Sequence, residues 1–349
     1  MRDLRLKSWG LFLWIACLLS GCAFVSVSLQ EKVRPLEETV LSGEGKDKVL
    51  LISIGGVIGG VEPTPLRLVR PSRRPDMLSE VKEQLEKASD DHRVKALILR
   101  INSPGGGVTA SDTLFHEVME LKRKTNAKVV ASIQDIGTSG AYYIALAGDK
   151  IVAHPTAITG SIGVLTLRFN AQKLLEKIGV DASVIQSGKR KDVGLPFRPL
   201  SSEEREMLQG IVNNFYERFV GLVVERRKKG ISLEQARKIA DGRILGSKEA
   251  KELGLIDEVG YLDEAIDLAK KEAGLQKARV VAYHRPGEYL NNIYSMAPGG
   301  GMEKMAPWGG FRGVDLLGQG PPSLSGAPIP GLEDILGDPG PTFLYLWMP

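Results

Sequence analysis

Ser139 stands in the run Gly137-Thr138-Ser139-Gly140-Ala141-Tyr142-Tyr143, a hydroxyl crowded by small residues. Before it, Lys128-Val129-Val130-Ala131-Ser132-Ile133 reads as a buried strand, and residues 141–147 after it read as a compact apolar helix. Glycine beside a serine at such a junction permits positive φ and close approach of a second backbone, which acyl transfer needs around a nucleophile. A serine that only caps a tight turn has the same local signature, so its partners must decide. One is the loop Asn102-Ser103-Pro104-Gly105-Gly106-Gly107-Val108, which feeds a helix over residues 109–124. Free N–H groups at such a helix start attract an anion, and in a hydrolase that anion is the tetrahedral oxyanion.

A serine nucleophile also needs a base. His154 is near in sequence, but it precedes Pro155 and has no obvious carboxylate to orient it. The alternative is a lysine, which works only when neutral and therefore needs a desolvated pocket. Lys189 and Lys191 occur in Ser187-Gly188-Lys189-Arg190-Lys191-Asp192, and an extended loop turns both to one side and Arg190 to the other. Solvated surface charge is the commoner fate of lysine.

Other chemistries are excluded. Cys17 and Cys22 are the only cysteines and both precede the body of the chain, so cysteine catalysis and cysteine metal sites are ruled out there. The four histidines show no metal-ligand spacing, so no metal is expected. A formal charge of +4 with no basic stripe among aromatics gives nucleic acid no footprint. Gly55-Gly56-Val57-Ile58-Gly59-Gly60 looks like a dinucleotide loop, but Val61-Glu62-Pro63-Thr64-Pro65 stands where a helix should receive the pyrophosphate, and no cofactor is expected.

The elements that position these residues alternate. Strands are expected over residues 48–54, 94–101, 151–153 and 182–186, and helices over 77–88, 109–124 and 170–178. Ser201 or Ser202 starts a long helix to about Arg227, whose stripe of Leu208, Ile211, Val212, Phe215, Phe219, Leu222 and Val223 suits a core or a subunit interface. Such alternation means an α/β sheet with site loops at strand ends.

Residues 1–22 have a targeting pattern, with Arg2, Arg5 and Lys7 ahead of an apolar stretch that runs into Leu19-Ser20-Gly21-Cys22. This resembles a bacterial lipobox in which Cys22 is lipidated; extended through Leu29, the apolar stretch approaches the roughly 20 residues of an uncleaved membrane anchor. Either way the body is exported and tethered. Residues 23–47 read as a linker, 48–283 as the catalytic domain, and 284–349 as a Pro/Gly-rich tail. The tail ends in the uncharged hexad Phe343-Leu344-Tyr345-Leu346-Trp347-Met348, which resembles a signal-peptide apolar region; it is suited to fill an apolar groove weakly as a competing peptide, to be a trimmed terminus, or to pack as a sticky end against the sheet or the membrane surface.

Five ordered motifs, Ile101-Asn102-Ser103-Pro104-Gly105-Gly106-Gly107, Thr138-Ser139-Gly140-Ala141-Tyr142-Tyr143, Thr159-Gly160-Ser161-Ile162-Gly163, Ser187 to Asp192 and Ala240-Asp241-Gly242-Arg243, resemble the signal peptide peptidase A family across residues 49–273. The resemblance implies a Clp-protease/crotonase-like α/β fold and peptide hydrolysis by a Ser-Lys dyad. It implies Ser139 as nucleophile, Lys191 as general base because that lysine directly precedes the aspartate, Ser161 as the hydroxyl orienting it, and the Gly105-Gly106 loop as oxyanion hole. It further implies apolar peptide substrates such as released signal peptides, and a location in the bacterial cell envelope at the membrane. A single catalytic module like this one belongs in a ring or dome homo-oligomer whose neighbouring protomers help complete each site. A crotonase-like acyl-CoA enzyme and a non-catalytic lipoprotein scaffold are the alternatives; the export signal argues against the former.

Overall fold

Strand-forming runs alternate with amphipathic helices along the chain, and in the computed structural model they assemble into an α/β fold. The structure describes residues 34–59, 76–227, 230–286, 288, 290–295 and 342–346. In chain order they form β1 (Glu37–Gly43), β2 (Lys48–Gly55), α1 (Met77–Asp90), β3 (Val94–Ser103), β4 (Gly105–Gly107), α2 (Val108–Thr125), β5 (Lys128–Thr138), α3 (Gly140–Ala145), β6 (Lys150–Ala153), β7 (Ile158–Gly160) and β8 (Leu165–Leu167). They continue with α4 (Gln172–Lys177), α5 (Ser202–Arg226), α6 (Leu233–Ile239), β9 (Ile244–Gly246), α7 (Ser247–Glu252), β10 (Glu258–Val259), α8 (Leu262–Glu272), β11 (Arg279–His284) and β12 (Thr342–Leu346).

The main sheet has the order β1-β11-β2-β3-β5-β6-β10, with β7 on the far end of β5 and β9 beyond β7. Its pairings from β11 to β10 are parallel, as is β5 with β7, while β1 and β9 add antiparallel edges. A parallel sheet is covered on both faces, so its strands are apolar on both. In β2, Leu50, Ile52 and Ile54 join a core with α1, α2, α3 and α5, whereas Val49 and Leu51 join a second core with Leu262, Ala265, Ile266 and Ala269 of α8. The same alternation runs through Leu97, Leu99 and Ile101 against Ala96 and Ile98 of β3. Each such buried aliphatic contributes about 1.5–3 kcal/mol, which makes the strand ends a rigid platform.

That platform aims the site. β5 pairs β6 through Val130–Ile133 and then turns its last residues, Ile136 to Thr138, onto β7. The end of β3 passes through Pro104 into β4, which joins β12 and β8 in a separate three-stranded antiparallel sheet in the order β4-β12-β8.

The structure departs from the sequence reading in three places. Residues 37–43, read as linker, form β1 on the edge of the main sheet. None of their side chains is buried, so no hydrophobic period marks them; pairing with β11 and the ion pair of Glu38 with the buried Lys48 (2.6 Å) hold them. Residues 182–186, read as a buried strand, form no strand: Val184 and Ile185 are exposed and no sheet edge meets them. The helix expected over 170–178 is the shorter α4, which buries none of its residues. The N-terminal segment with Cys22 lies outside the described residues, as does most of the tail. Among the described residues no helix is long and apolar enough to cross a membrane.

α5 begins where expected. Ser201 accepts from Glu204 N–H and Glu204 returns a bond to the Ser201 N–H, a capping box. Phe219, Val220 and Val223 at its far end enter the core.

Candidate active site

Ser139 closes β5 and opens α3 at φ 52° and ψ −118°, a region that costs a non-glycine residue about 1–3 kcal/mol. Of the three described non-glycine residues with positive φ, Asn126 is a helix C-cap, and the others are Ser139 and Ser161 (φ 49°). The two serines are coupled through backbone: Ser139 N–H donates to the Gly160 carbonyl (2.8 Å), and Ser161 N–H donates to the Arg243 carbonyl (2.7 Å). A hydroxyl that only capped α3 would bond its first turn, and the Ser139 side chain does not.

The surroundings hold this strained turn in place. All six residues of α3 are buried. Tyr142 donates its hydroxyl to the Leu255 carbonyl (2.7 Å), and full burial pushes its pKa upward. Tyr143 donates to Asp112 Oδ1 (2.5 Å) and packs edge-on against Phe115 and Phe219. Behind Ser161, Arg243 pairs with Asp241, and its hydrogen bonds hold that carboxyl down at about 2. The Ala240-Asp241-Gly242-Arg243 motif thus supports the Ser161 backbone.

The glycine loop is shaped with equal definition. Ile58 N–H donates to the Gly105 carbonyl and Gly107 N–H donates to the Ile58 carbonyl, each at 2.8 Å. A Cβ on Gly106 would stand 2.1 Å from the Ile58 carbonyl oxygen, so only glycine fits. Gly105, at φ 105°, donates its N–H to Ser103 Oγ (3.1 Å), which in turn donates to the Gly56 carbonyl (2.6 Å). Peptide directions alternate along a strand, so with Gly105 C=O and Gly107 N–H spent on Ile58, the Gly106 N–H and C=O point the opposite way. Of the two expected donors, Gly105 thus has its N–H on Ser103 Oγ, and Gly106 directs its N–H away from Ile58.

Lys191 and Lys189 lie elsewhere. Both are exposed, on a turn in which Lys191 N–H donates to the Gly188 carbonyl (3.0 Å). Among the described residues no hydrogen bond joins Lys191 to Ser139. The turn is nonetheless anchored: the buried Asp192 accepts from Arg198 Nε (2.5 Å) and Nη2 (2.8 Å), and Arg198 also bonds both oxygens of Glu204 at the start of α5. The shared guanidinium holds both carboxyls at about 2. His154 is used otherwise, its Nδ1 against Thr156 Oγ1 (2.8 Å) and its ring edge-on to Tyr261.

Sequence reasoning missed Ile58, Ser103 and Arg198. Ile58 sat in a glycine run that suggested a nucleotide loop, and Arg198 is seven residues beyond the lysine it anchors; neither carries a local pattern. The sequence reading also passed over the N–H of Gly140, although its position directly after the nucleophile candidate is signal enough to consider it.

A model of peptidase family S49 matches residues 121–276, a span that includes Ser139, Ser161 and Lys191. A protein of Enterococcus faecium assigned as signal peptide peptidase SppA is 34% identical over 276 residues, 79% of this chain and 76% of that one. The chain belongs to the signal peptide peptidase A family. It is therefore a serine peptidase, a hydrolase acting on peptides, rather than an acyl-CoA enzyme or a scaffold. Its α/β architecture is the Clp-protease/crotonase-like fold that goes with the signal peptide peptidase A family. A protein of Methanocaldococcus jannaschii assigned as a protease is 39% identical over 199 residues, covering 57% of this chain and 63% of that one. Among solved structures, a serine-to-alanine mutant of a membrane-bound stomatin-specific protease aligns with 64% of this chain and 85% of its own at 16% identity and a TM-score of 0.41.

Proposed function

We propose that this peptidase is an exported, membrane-tethered endopeptidase that cuts released signal peptides or similar apolar peptides with a Ser-Lys dyad. Ser139 Oγ attacks the peptide carbonyl while neutral Lys191 Nζ takes its proton. The Gly106 and Gly140 N–H groups receive the oxyanion. The lysine then passes the proton to the leaving amine, and a water, deprotonated by the same lysine, releases the acyl group from Ser139. Ser161 orients the lysine. The observation that carries this reading is the strained pair Ser139 and Ser161, one peptide unit apart in space and set beside a loop whose centre accepts only glycine.

The dyad in this reading spans two copies of the chain. The segment bearing Lys191 exposes Leu174, Ile178, Val180, Val184 and Ile185, and an apolar patch of that kind marks an interaction surface. Docked on a neighbour, it would dry the lysine and present it to the neighbour's Ser139. Mixing inactive Ser139→Ala with inactive Lys191→Ala protein, followed by dissociation and reassembly, tests this. Activity is expected to return to about a quarter of the wild-type rate, the random-mixing limit for head-to-tail contacts; a mixture that stays inactive while it assembles contradicts the shared site.

Tethering has its own test. Cys22→Ser is expected to leave an uncleaved precursor that takes up no labelled fatty acid in an expressing bacterium. Normal processing of that variant would rule out lipidation at Cys22, and retention at the membrane would then favour the uncleaved anchor.

A further inference from the structure

On the α8 face of the main sheet the strands change character toward their carboxyl ends. Val49 and Leu51 of β2, Ala96 and Ile98 of β3, Val130 of β5 and Val152 of β6 pack with α8. Side chains alternate between faces, and the next positions in that alternation are Ser53, Arg100, Ser132 and His154. α8 starts at Leu262 and leaves this polar end uncovered. The result is a cavity of about 220 Å³, lined by Ser53, Arg100, Asn102, Gln134 and His154, with apolar surface from Tyr261, Leu262 and Tyr294. It is large enough for roughly seven waters or one small organic molecule. The carboxyl ends of parallel strands are where α/β sheets commonly take ligands. The helix α3, which Ser139 opens, packs in the core on the other face, so this cavity is a second site.

Arg100 gives the cavity its chemistry. It is 5% exposed, yet its hydrogen bonds run to neutral oxygens: Nη2 donates to Ser53 Oγ and to the Ser295 carbonyl, each at 2.7 Å, and Nη1 donates to the Ile293 carbonyl at 2.5 Å. Burial pulls its pKa down to about 10, and among the described residues no carboxylate pairs with it to offset that. A guanidinium keeps its proton in a protein, and a buried charge without a counter-charge is costly. Asp135, the acid at the rim, is exposed and accepts instead from Asn102 Nδ2 (2.9 Å). We propose that this cavity binds a small carboxylate with a short neutral body, an N-acylated amino acid or the carboxyl end of a short peptide, whose single charge is the counter-ion that Arg100 lacks. The carboxamide of Gln134 and the imidazole of His154 are hydrogen-bonding groups for the rest of the molecule, and the tyrosines give its apolar part a wall. A phosphate dianion suits the site less, because it sets two negative charges against one guanidinium with Asp135 close by.

The test is thermal melting of the full chain at constant ionic strength, titrated with N-acetylalanine, with its uncharged amide N-acetylalaninamide, and with inorganic phosphate. N-acetylalanine at about four to five times its Kd is expected to raise the melting temperature by about 2–4 °C, and the amide and phosphate to leave it unchanged. Ser53 is the register partner of Arg100 across β2 and β3, so Ser53→Asp builds a carboxylate in beside the guanidinium. That variant is expected to melt about 2–4 °C higher without ligand and to lose the response to N-acetylalanine. Arg100→Met is expected to lose the response as well; if it fails to fold, Ser53→Asp still decides. No shift up to the solubility limit of N-acetylalanine, or an equal shift with the amide, would overturn the proposal. A response that persists unchanged in Ser53→Asp would place the ligand elsewhere and overturn it too. A phosphate shift that Ser53→Asp removes would assign the cavity to phosphate and overturn the carboxylate assignment.

Discussion

Ser139→Ala is expected to abolish peptide hydrolysis, lowering kcat/KM by on the order of 10⁴-fold or more, as removal of a serine nucleophile does elsewhere. The loss should fall on kcat. Alanine removes only the hydroxyl, and that hydroxyl makes no cap bond to α3, so the helix should keep its six buried residues and its Tyr142 and Tyr143 anchors. The turn should even relax slightly in stability terms if glycine replaces the serine, since φ 52° is costless to glycine. The circular dichroism spectrum should therefore be preserved while turnover disappears.

Lys191→Arg is expected to be as inactive as Lys191→Ala. A guanidinium cannot give up its proton in a protein, so a variant that keeps the positive charge separates charge from basicity. If Lys191 merely attracted a substrate carboxylate, arginine would rescue it. Lys189→Ala should retain most activity, since only Lys191 adjoins the Asp192–Arg198–Glu204 clamp that fixes the turn to α5. Because only neutral lysine serves as base, turnover in the wild type should climb from neutral toward alkaline pH. A histidine base would instead give an acid limb near about pH 6 to 7 that His154→Ala removes; the Thr156 and Tyr261 contacts of that ring make this outcome unexpected.

Much of this architecture was readable from local chemistry. The parallel strands declare themselves because Leu50, Ile52, Leu97 and Leu99 are buried on one face and Val49, Leu51, Ala96 and Ile98 on the other, leaving continuous apolar runs. Ser139 and the Gly105 to Gly107 loop stand out because their shapes need glycine nearby in sequence. What stayed hidden depends on distant pairing. β1 exists only through β11, at the opposite end of the catalytic domain in sequence, and none of its side chains is buried. The role of Ile58 arises from two backbone bonds to a loop beyond an intervening helix and strand. Val184 and Ile185 misled in the other direction, since β-branched apolar residues indicate a strand only where a sheet edge is present to receive them.

The central claim is that Ser139 is a nucleophile activated by Lys191. The most direct measurement is labelling of the assembled protein by a serine-directed acylating probe, with the modified residue located by peptide mass spectrometry and the rate followed in parallel for Lys191→Ala and Lys189→Ala. The expected result is one adduct, on Ser139, formed at the wild-type rate in Lys189→Ala and not formed in Lys191→Ala. An adduct on any other residue, or labelling of Ser139 that is indifferent to the loss of Lys191, would contradict it.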